Sequence, residues 1–146
     1  VICMEAFKIS IFEDERKKNF PRFKTLSVTK SEATIKELSK LYHLDISDFK
    51  KVQEVGEYIV NTNAKKEAFS PTELFVSFPQ PGNIMVIWGN NDLIDVFHYE
   101  DFCKYFDYIW YPSSDDILII TELLNIAFLI RHDGIIYRIH SNKQQR

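Results

Sequence analysis

The sequence predicts an α+β fold in which N-terminal helices pack on a mostly antiparallel sheet of four to six strands. Helix-start patterns fall in the first half of the chain, whereas short runs rich in β-branched residues crowd the second half. Helices followed by strands, rather than strict alternation of the two, favour an antiparallel sheet. The dipeptide Asp133-Gly134 between the last two runs predicts a closing C-terminal β-hairpin, because glycine supplies the positive φ of a tight turn.

The N-terminal residues predict a strand followed by an irregular segment. Phe7, Ile9 and Ile11 alternate weakly with other residues, which is typical of one face of a strand over residues 5–12. The charged residues 13–18 that follow predict a loop or a short helix.

Three patterns predict helix starts in the first half of the chain. Thr29 followed by Glu32 is a capping box, with Thr29 as the N-cap. Asp45 or Ser47 is a suitable N-cap for a second helix. A second capping box begins at Ser70 and carries proline at the first helical position, which predicts one further short helix.

Apolar runs separated by turns predict the sheet. Residues 84–88 form a continuous apolar run of the length expected for a strand buried on both faces, and residues 93–97 can return antiparallel to it. Residues 99–110 carry apolar side chains at helical spacing, which predicts one amphipathic helix. Three further runs predict the remaining strands: residues 117–121, 126–130 and 135–139.

The composition predicts one globular domain that spans residues 1–146. Apolar residues make up 45% and charged residues 27% of the chain, both ordinary values for a globular protein. Cys3 and Cys103 are too few for a disulfide framework, so we expect a reducing, cytoplasmic setting. No apolar stretch is long enough to span a membrane. Residues 1–12 lack the basic start of a signal peptide, so we expect none.

Enzyme motifs are scarce, and we expect no cofactor. The chain has neither a glycine-rich phosphate loop nor a serine nucleophile elbow. Cys103 lies on the predicted apolar stripe among acidic residues, which favours packing over nucleophilic chemistry. The alternative function with some support is a metal-dependent hydrolase that uses His98, His132 and nearby carboxylates. A catalytic metal needs about three converging ligands of these types.

Residues 92–116 are the most unusual stretch of the chain. They carry seven acids and one base, a net charge of −6, together with eight aromatic residues. The whole chain has a formal net charge of only −3. A buried aromatic side with a solvated acidic side is one interpretation. The other is an acidic aromatic surface that binds a partner.

The C-terminal part of the chain resembles a known group of proteins. Residues 102–116 read FCKYFDYIWYPSSDD, and the chain closes with LIRHDGIIYRI. This part resembles small uncharacterised bacterial proteins that carry a Y-P-x-S-D-D turn between a helix and a C-terminal hairpin. They are similar in style to immunity proteins that neutralise polymorphic toxins. The intervening TELLNIAFLI is more apolar than the corresponding strand of that group.

The resemblance implies a non-catalytic protein-binding module whose partner is a basic protein such as a toxin domain. Complementary charge raises the rate of association, and aromatic side chains then anchor the complex. We predict the binding residues to be Trp110, Tyr111, Ser114, Asp115 and Asp116. We expect neither nucleic acid nor membrane as a partner, because the chain is acidic overall and has no apolar span. A small-ligand binding domain with an aromatic-lined pocket is a further alternative.

Overall fold

The computed structural model describes residues 4–79, 81–89 and 91–141, and within them seven strands form one antiparallel sheet. The strands are β1 (Phe23–Thr25), β2 (Glu57–Tyr58), β3 (Asn83–Trp88), β4 (Ile94–His98), β5 (Ile117–Thr121), β6 (Ile126–Ile130) and β7 (Ile136–His140). Across the sheet they follow the order β1-β4-β3-β5-β6-β7-β2.

The predicted α+β class is confirmed, although the described strands exceed the predicted four to six by one. The five longer strands coincide with the five apolar runs of the sequence. The two edge strands, β1 and β2, have only three and two residues. Strands this short give no detectable alternation, because a period of two residues needs about four positions to be recognised.

The β6–β7 hairpin also agrees with the sequence. Gly134 has a φ of +86°, and its amide donates to the carbonyl oxygen of Arg131 over 2.8 Å. The turns that separate the apolar run of residues 84–88 from its neighbours include Gln80 and Asn90. Those two residues lie outside the described ranges.

Five α-helices occur in the described ranges. The longest has 15 residues, and no helix of the described chain is long and apolar enough to cross a bilayer. A 3-10 turn at Pro71–Leu74 begins at Ser70, as predicted, and the Ser70 side chain accepts from the amide of Thr72. The helices are α1 (Ala6–Arg16), α2 (Val28–Tyr42), α3 (Phe49–Val55), α4 (Tyr99–Lys104) and α5 (Phe106–Ile109).

Three local predictions about these helices are wrong. The N-cap of α2 is Ser27 rather than Thr29, and the Ser27 side chain accepts from the amide of Lys30. The N-cap of α3 is Asp48, since a turn at residues 45–47 uses the other polar side chains. The single helix predicted over residues 99–110 is interrupted at Tyr105, whose φ of −112° lies outside the helical region.

The predicted strand over residues 5–12 is instead helix α1. Its inward face carries Lys8 and Phe12, both fully buried and spaced four residues apart as a helix requires, and Met4 just before the helix is also fully buried. The charge of Lys8 in the middle of this face conceals the helical period. Phe7 and Ile11, which suggested alternation, lie on the exposed side of the helix.

Helices cover both faces of the sheet, whereas the sequence suggested packing on the N-terminal helices only. On one face, β5 and β6 pack against α2 and α3, with Leu38, Tyr42 and Val52 buried. On the other face, Phe102 and Trp110 from the α4–α5 segment cover the same strands. Every residue of β5 and β6 is therefore buried.

Candidate partner-binding face

The turn of residues 111–116 joins α5 to β5 and is fastened to the β6–β7 hairpin. Ser113 adopts a left-handed conformation with φ 75°, and its amide donates to the carbonyl oxygen of His132 over 2.8 Å. The Asp115 amide donates to the carbonyl oxygen of Tyr111 over 3.1 Å. These bonds hold the predicted turn in one conformation.

A buried ion pair connects this turn to α1. The ammonium group of Lys8 donates to Asp115 Oδ2 over 2.6 Å and to the carbonyl oxygen of Ile109 over 2.9 Å. Asp115 Oδ2 also accepts from the amide of Tyr111 over 2.8 Å. The Lys8 ammonium lies 4.7 Å from the ring centroid of Trp88 and 5.0 Å from that of Tyr111. The same ammonium nitrogen lies 3.5 Å from Glu5 Oε1. Because the buried ammonium and Asp115 Oδ2 are both bonded, this arrangement is structural in character.

Two of the five predicted binding residues lie in the interior. Trp110 is 3% exposed, stacks on Phe106 and donates from its indole nitrogen to the Asp115 carbonyl oxygen over 2.9 Å. Asp115 is 7% exposed and is held by Lys8. The sequence placed both at the surface, but an apolar ring next to a matched charge pair is more stable inside the protein. Neither side chain is free to contact another molecule.

The other three predicted residues remain accessible. Ser114 is exposed, Tyr111 is half-buried, and the side chain of Asp116 is 42% exposed. Asp116 Oδ1 accepts from the backbone amide of His132 over 2.7 Å and lies 2.9 Å from its Nδ1. Of the predicted aromatic pair, only Tyr111 can therefore take part in an interface.

Tyr111 belongs to an exposed group of apolar, aromatic and acidic side chains on α1 and α5. Phe7 is 49% exposed and packs edge-to-face on Tyr111 at 5.7 Å between ring centroids. Tyr108 donates to Glu15 over 2.8 Å. Burial, followed by the nearby charges of Glu15, Asp115 and Glu5, raises the pKa of Tyr111. We call the following residues the acidic aromatic patch: Glu5, Phe7, Ile11, Glu15, Tyr108 and Tyr111.

Comparison with known proteins adds no residue to this patch. The chain matches no family model, no curated protein and no solved structure. The candidate residues are therefore argued from their chemistry and geometry alone. The resemblance to immunity proteins stays a prediction.

The metal-dependent hydrolase alternative does not fit the positions of its histidines. His98 ends β4 opposite Asn83, at the first residue of β3. His132 contacts Asp116, which precedes β5 at the Trp88 end of β3. The two histidines thus lie at opposite ends of one strand. Within residues 4–79, 81–89 and 91–141, no group of three His, Cys, Asp or Glu side chains could hold a metal ion.

A small-ligand binding domain would need a cleft of sufficient volume, and two clefts of the described chain can be compared with this requirement. A cleft of about 120 Å³ beside the turn is lined by Trp88, Ser114 and Asp116 among others. It is smaller than the few hundred cubic ångströms typical of ligand pockets. A shallower cleft of about 430 Å³ lies between residues 64–69 and Trp110, and it is lined by charged and apolar side chains.

Cys103 shows no sign of nucleophilic activation. Its side chain is half-buried on α4. Burial raises the pKa of the thiol to about 11, and the hydrogen bond with Tyr99 offsets this only in part. The prediction that Cys103 packs rather than reacts agrees with this environment.

The sequence interpretation missed Phe7, Ile11 and Lys8 because it assigned them to a strand. A spacing of four residues separates Phe7 from Ile11 on the exposed side of α1. The same spacing relates Lys8 and Phe12 on its buried side. This helical period competes with the alternation of Phe7, Ile9 and Ile11, and it is the signal in the sequence that indicates the α1 side of the patch.

Proposed function

We propose that this protein is a non-catalytic binding module whose acidic aromatic patch docks a basic protein, and that it acts as an immunity protein against a toxin domain. We further propose that it does so in the cytoplasm, where its cysteines stay reduced. The observation that carries the proposal is the exposure of Phe7 and Ile11 beside Tyr111, with carboxylates on both sides.

The chemistry of the patch supports protein binding. Phe7 is 49% and Ile11 37% exposed, so docking a partner on them removes apolar surface from water. The two tyrosines add rings with polar hydroxyls, which are the side chains most often found at the energetic centre of interfaces.

The charges of the patch favour a basic partner. Glu5 and Glu15 flank the rings, and the buried cation Lys8 is shared between Asp115 at 2.6 Å and Glu5 at 3.5 Å. Exposed carboxylates around an apolar centre attract a positively charged protein and raise its association rate. Many toxins that attack nucleic acids are basic for the same electrostatic reason.

The test combines capture with matched interface variants. The full chain is used to recover proteins from its native host, and the captured basic protein is purified and titrated against the chain by calorimetry. The variant Phe7→Ser/Ile11→Ser should weaken this binding at least about tenfold, the effect of losing one interface anchor. The control Val55→Ser/Val60→Ser removes two exposed apolar side chains outside the patch. It should bind like the wild type.

A growth assay then separates an immunity protein from other binding modules. Expression of the captured partner alone should arrest growth, and co-expression of the wild-type chain should restore it. If Phe7→Ser/Ile11→Ser restores growth as well as the wild type does, the patch is not the binding face. The same conclusion follows if the Val55→Ser/Val60→Ser control loses as much protection as the patch variant.

A further inference from the structure

Three cationic side chains converge on one buried ring at the end of α1 that is remote from Glu5. The guanidinium carbon of Arg16 lies 5.7 Å from the ring centroid of Tyr105 and 5.6 Å from that of Tyr108. The ammonium nitrogens of Lys18 and Lys104 lie 5.4 Å and 5.3 Å from the same centroid. The ring itself is 4% exposed, whereas all three cationic residues are exposed. We call Arg16, Lys18 and Lys104 the cation cluster.

The fold sets the position of the Tyr105 ring and of Lys18. Tyr105 is the residue at which the α4–α5 segment bends, and its ring packs edge-to-face on buried Phe12 at 4.8 Å between centroids. Lys18 follows the left-handed end of α1 and donates to the Tyr105 hydroxyl over 2.9 Å. The pKa of Tyr105 is lowered, chiefly by the hydrogen bond from Lys18. Burial of the ring opposes this effect, and the nearby Lys104 adds to it.

The cations of the cluster form no ion pair with the carboxylates of the described part of the chain. The ion pairs formed by described residues include none of its three members. Two acids of α1 are bonded elsewhere: Glu13 accepts from the Phe20 amide over 2.9 Å, and Glu15 accepts from Tyr108. Three like charges held around one ring repel each other, and a multivalent anion removes that repulsion.

We propose that the cation cluster binds a compact ligand carrying two linked phosphate groups, of the pyrophosphate type. Three cations match the charge of such a group more closely than that of a monovalent anion. Arg16 can donate two parallel hydrogen bonds to one phosphate, while Lys18 and Lys104 act as point charges on the other. The site adjoins the acidic aromatic patch at Arg16, which also lies over the Tyr108 ring, and binding of the anion is tested without the protein partner proposed above.

The probe is inorganic pyrophosphate, titrated calorimetrically into the full chain at constant ionic strength in chloride. Saturable one-to-one binding is expected, and Lys18→Ala and Lys104→Ala should each weaken it by about tenfold or more, as loss of a charge-assisted hydrogen bond predicts. Lys50→Ala/Lys51→Ala is the matched control, because it removes two exposed lysines on α3 that form no ion pair among the described residues. It should leave the affinity unchanged.

A second measurement needs no variant. In the wild-type protein, pyrophosphate should shift the NMR signal of the Arg16 Nε–H group, with the same midpoint as the calorimetric titration. Absence of this shift overturns the proposal, as does equal weakening by the α3 control. If sulfate binds as tightly as pyrophosphate, the cluster attracts anions in general and the proposed selectivity for two linked phosphates is wrong. If a short single-stranded oligonucleotide binds more tightly than pyrophosphate, the ligand is nucleic acid and the proposed compact ligand is wrong.

Discussion

Lys8 is the residue on which the position of the 111–116 turn depends. It is fully buried, yet its ammonium group has Asp115, the Ile109 carbonyl oxygen and two aromatic rings around it. A buried charge with this set of partners is tolerated, whereas an unpaired one is not. Lys8 therefore links α1, which carries the acidic aromatic patch, to the turn that presents Tyr111.

Removing one member of this pair should destabilise the protein strongly. Lys8→Met leaves the Asp115 carboxylate buried without its cation, so we expect a loss of about 3–5 kcal/mol in the free energy of unfolding. The double variant Lys8→Met/Asp115→Leu removes both charges and should recover part of this loss. Urea denaturation followed by circular dichroism measures both.

The pair Lys40–Glu37 supplies the control for this prediction. It is an ion pair at 3.6 Å with side chains 68% and 74% exposed. Lys40→Met should change the unfolding free energy by no more than about 0.5 kcal/mol, since exposed pairs contribute little. A similar small change for Lys8→Met would mean that the buried pair does not stabilise the fold.

At the scale of single elements, the ends of the helices depend on which polar side chain faces the first free amides. In α2 two candidates lie close together, and Ser27, not Thr29, has the extended conformation of an N-cap. The capping-box pattern pointed to Thr29 because Glu32 follows it at the right distance. Residue spacing alone cannot distinguish two hydroxyl residues only two positions apart.

Alanine substitutions can separate these two candidates. Ser27→Ala should lower the free energy of unfolding by about 1 kcal/mol, because it removes the acceptor of the Lys30 amide. Thr29→Ala should be neutral or slightly stabilising, since Thr29 is exposed within the helix and alanine has the higher helix propensity. Thermal unfolding of the two variants gives the comparison, and the reverse ranking would restore the cap predicted from the sequence.

For the whole molecule, the main consequence of the fold is a sheet covered on both faces. Antiparallel sheets often leave one face to solvent, and their strands then alternate apolar and polar residues. Here β5 and β6 are buried at all ten positions, because α2 and α3 cover one face and the α4–α5 segment covers the other.

Two neighbouring residues of β5 test this arrangement. Ile119 points to the face under α4 and α5, and Ile120 points to the face under α2 and α3. Both are fully buried, so Ile119→Ala and Ile120→Ala should each cost about 2–5 kcal/mol of stability. Leu123→Ala, at a side chain 54% exposed, is the control and should cost little. Chemical denaturation measures the free energy of unfolding of each variant. If one isoleucine variant is as stable as the wild type, the sheet is covered on one face only.

The sequence by itself determined the fold class, the five longer strands, the Gly134 hairpin and the helix start at Ser70. These features depend on local patterns, either runs of β-branched residues or turn and cap residues at fixed offsets, and such patterns are visible in any short window. Residue 134 needs a positive φ whatever surrounds it.

Only the tertiary structure decided which rings and acids face outward. Trp110 and Asp115 read as surface residues in an acidic stretch, but the long-range partner Lys8, 107 positions earlier in the chain, draws Asp115 inside. The segment with an apparent alternation forms helix α1, which buries Lys8 on one side and exposes Phe7 and Ile11 on the other. A buried charge pair is set by two distant residues together, so neither sequence window contains the information that places it.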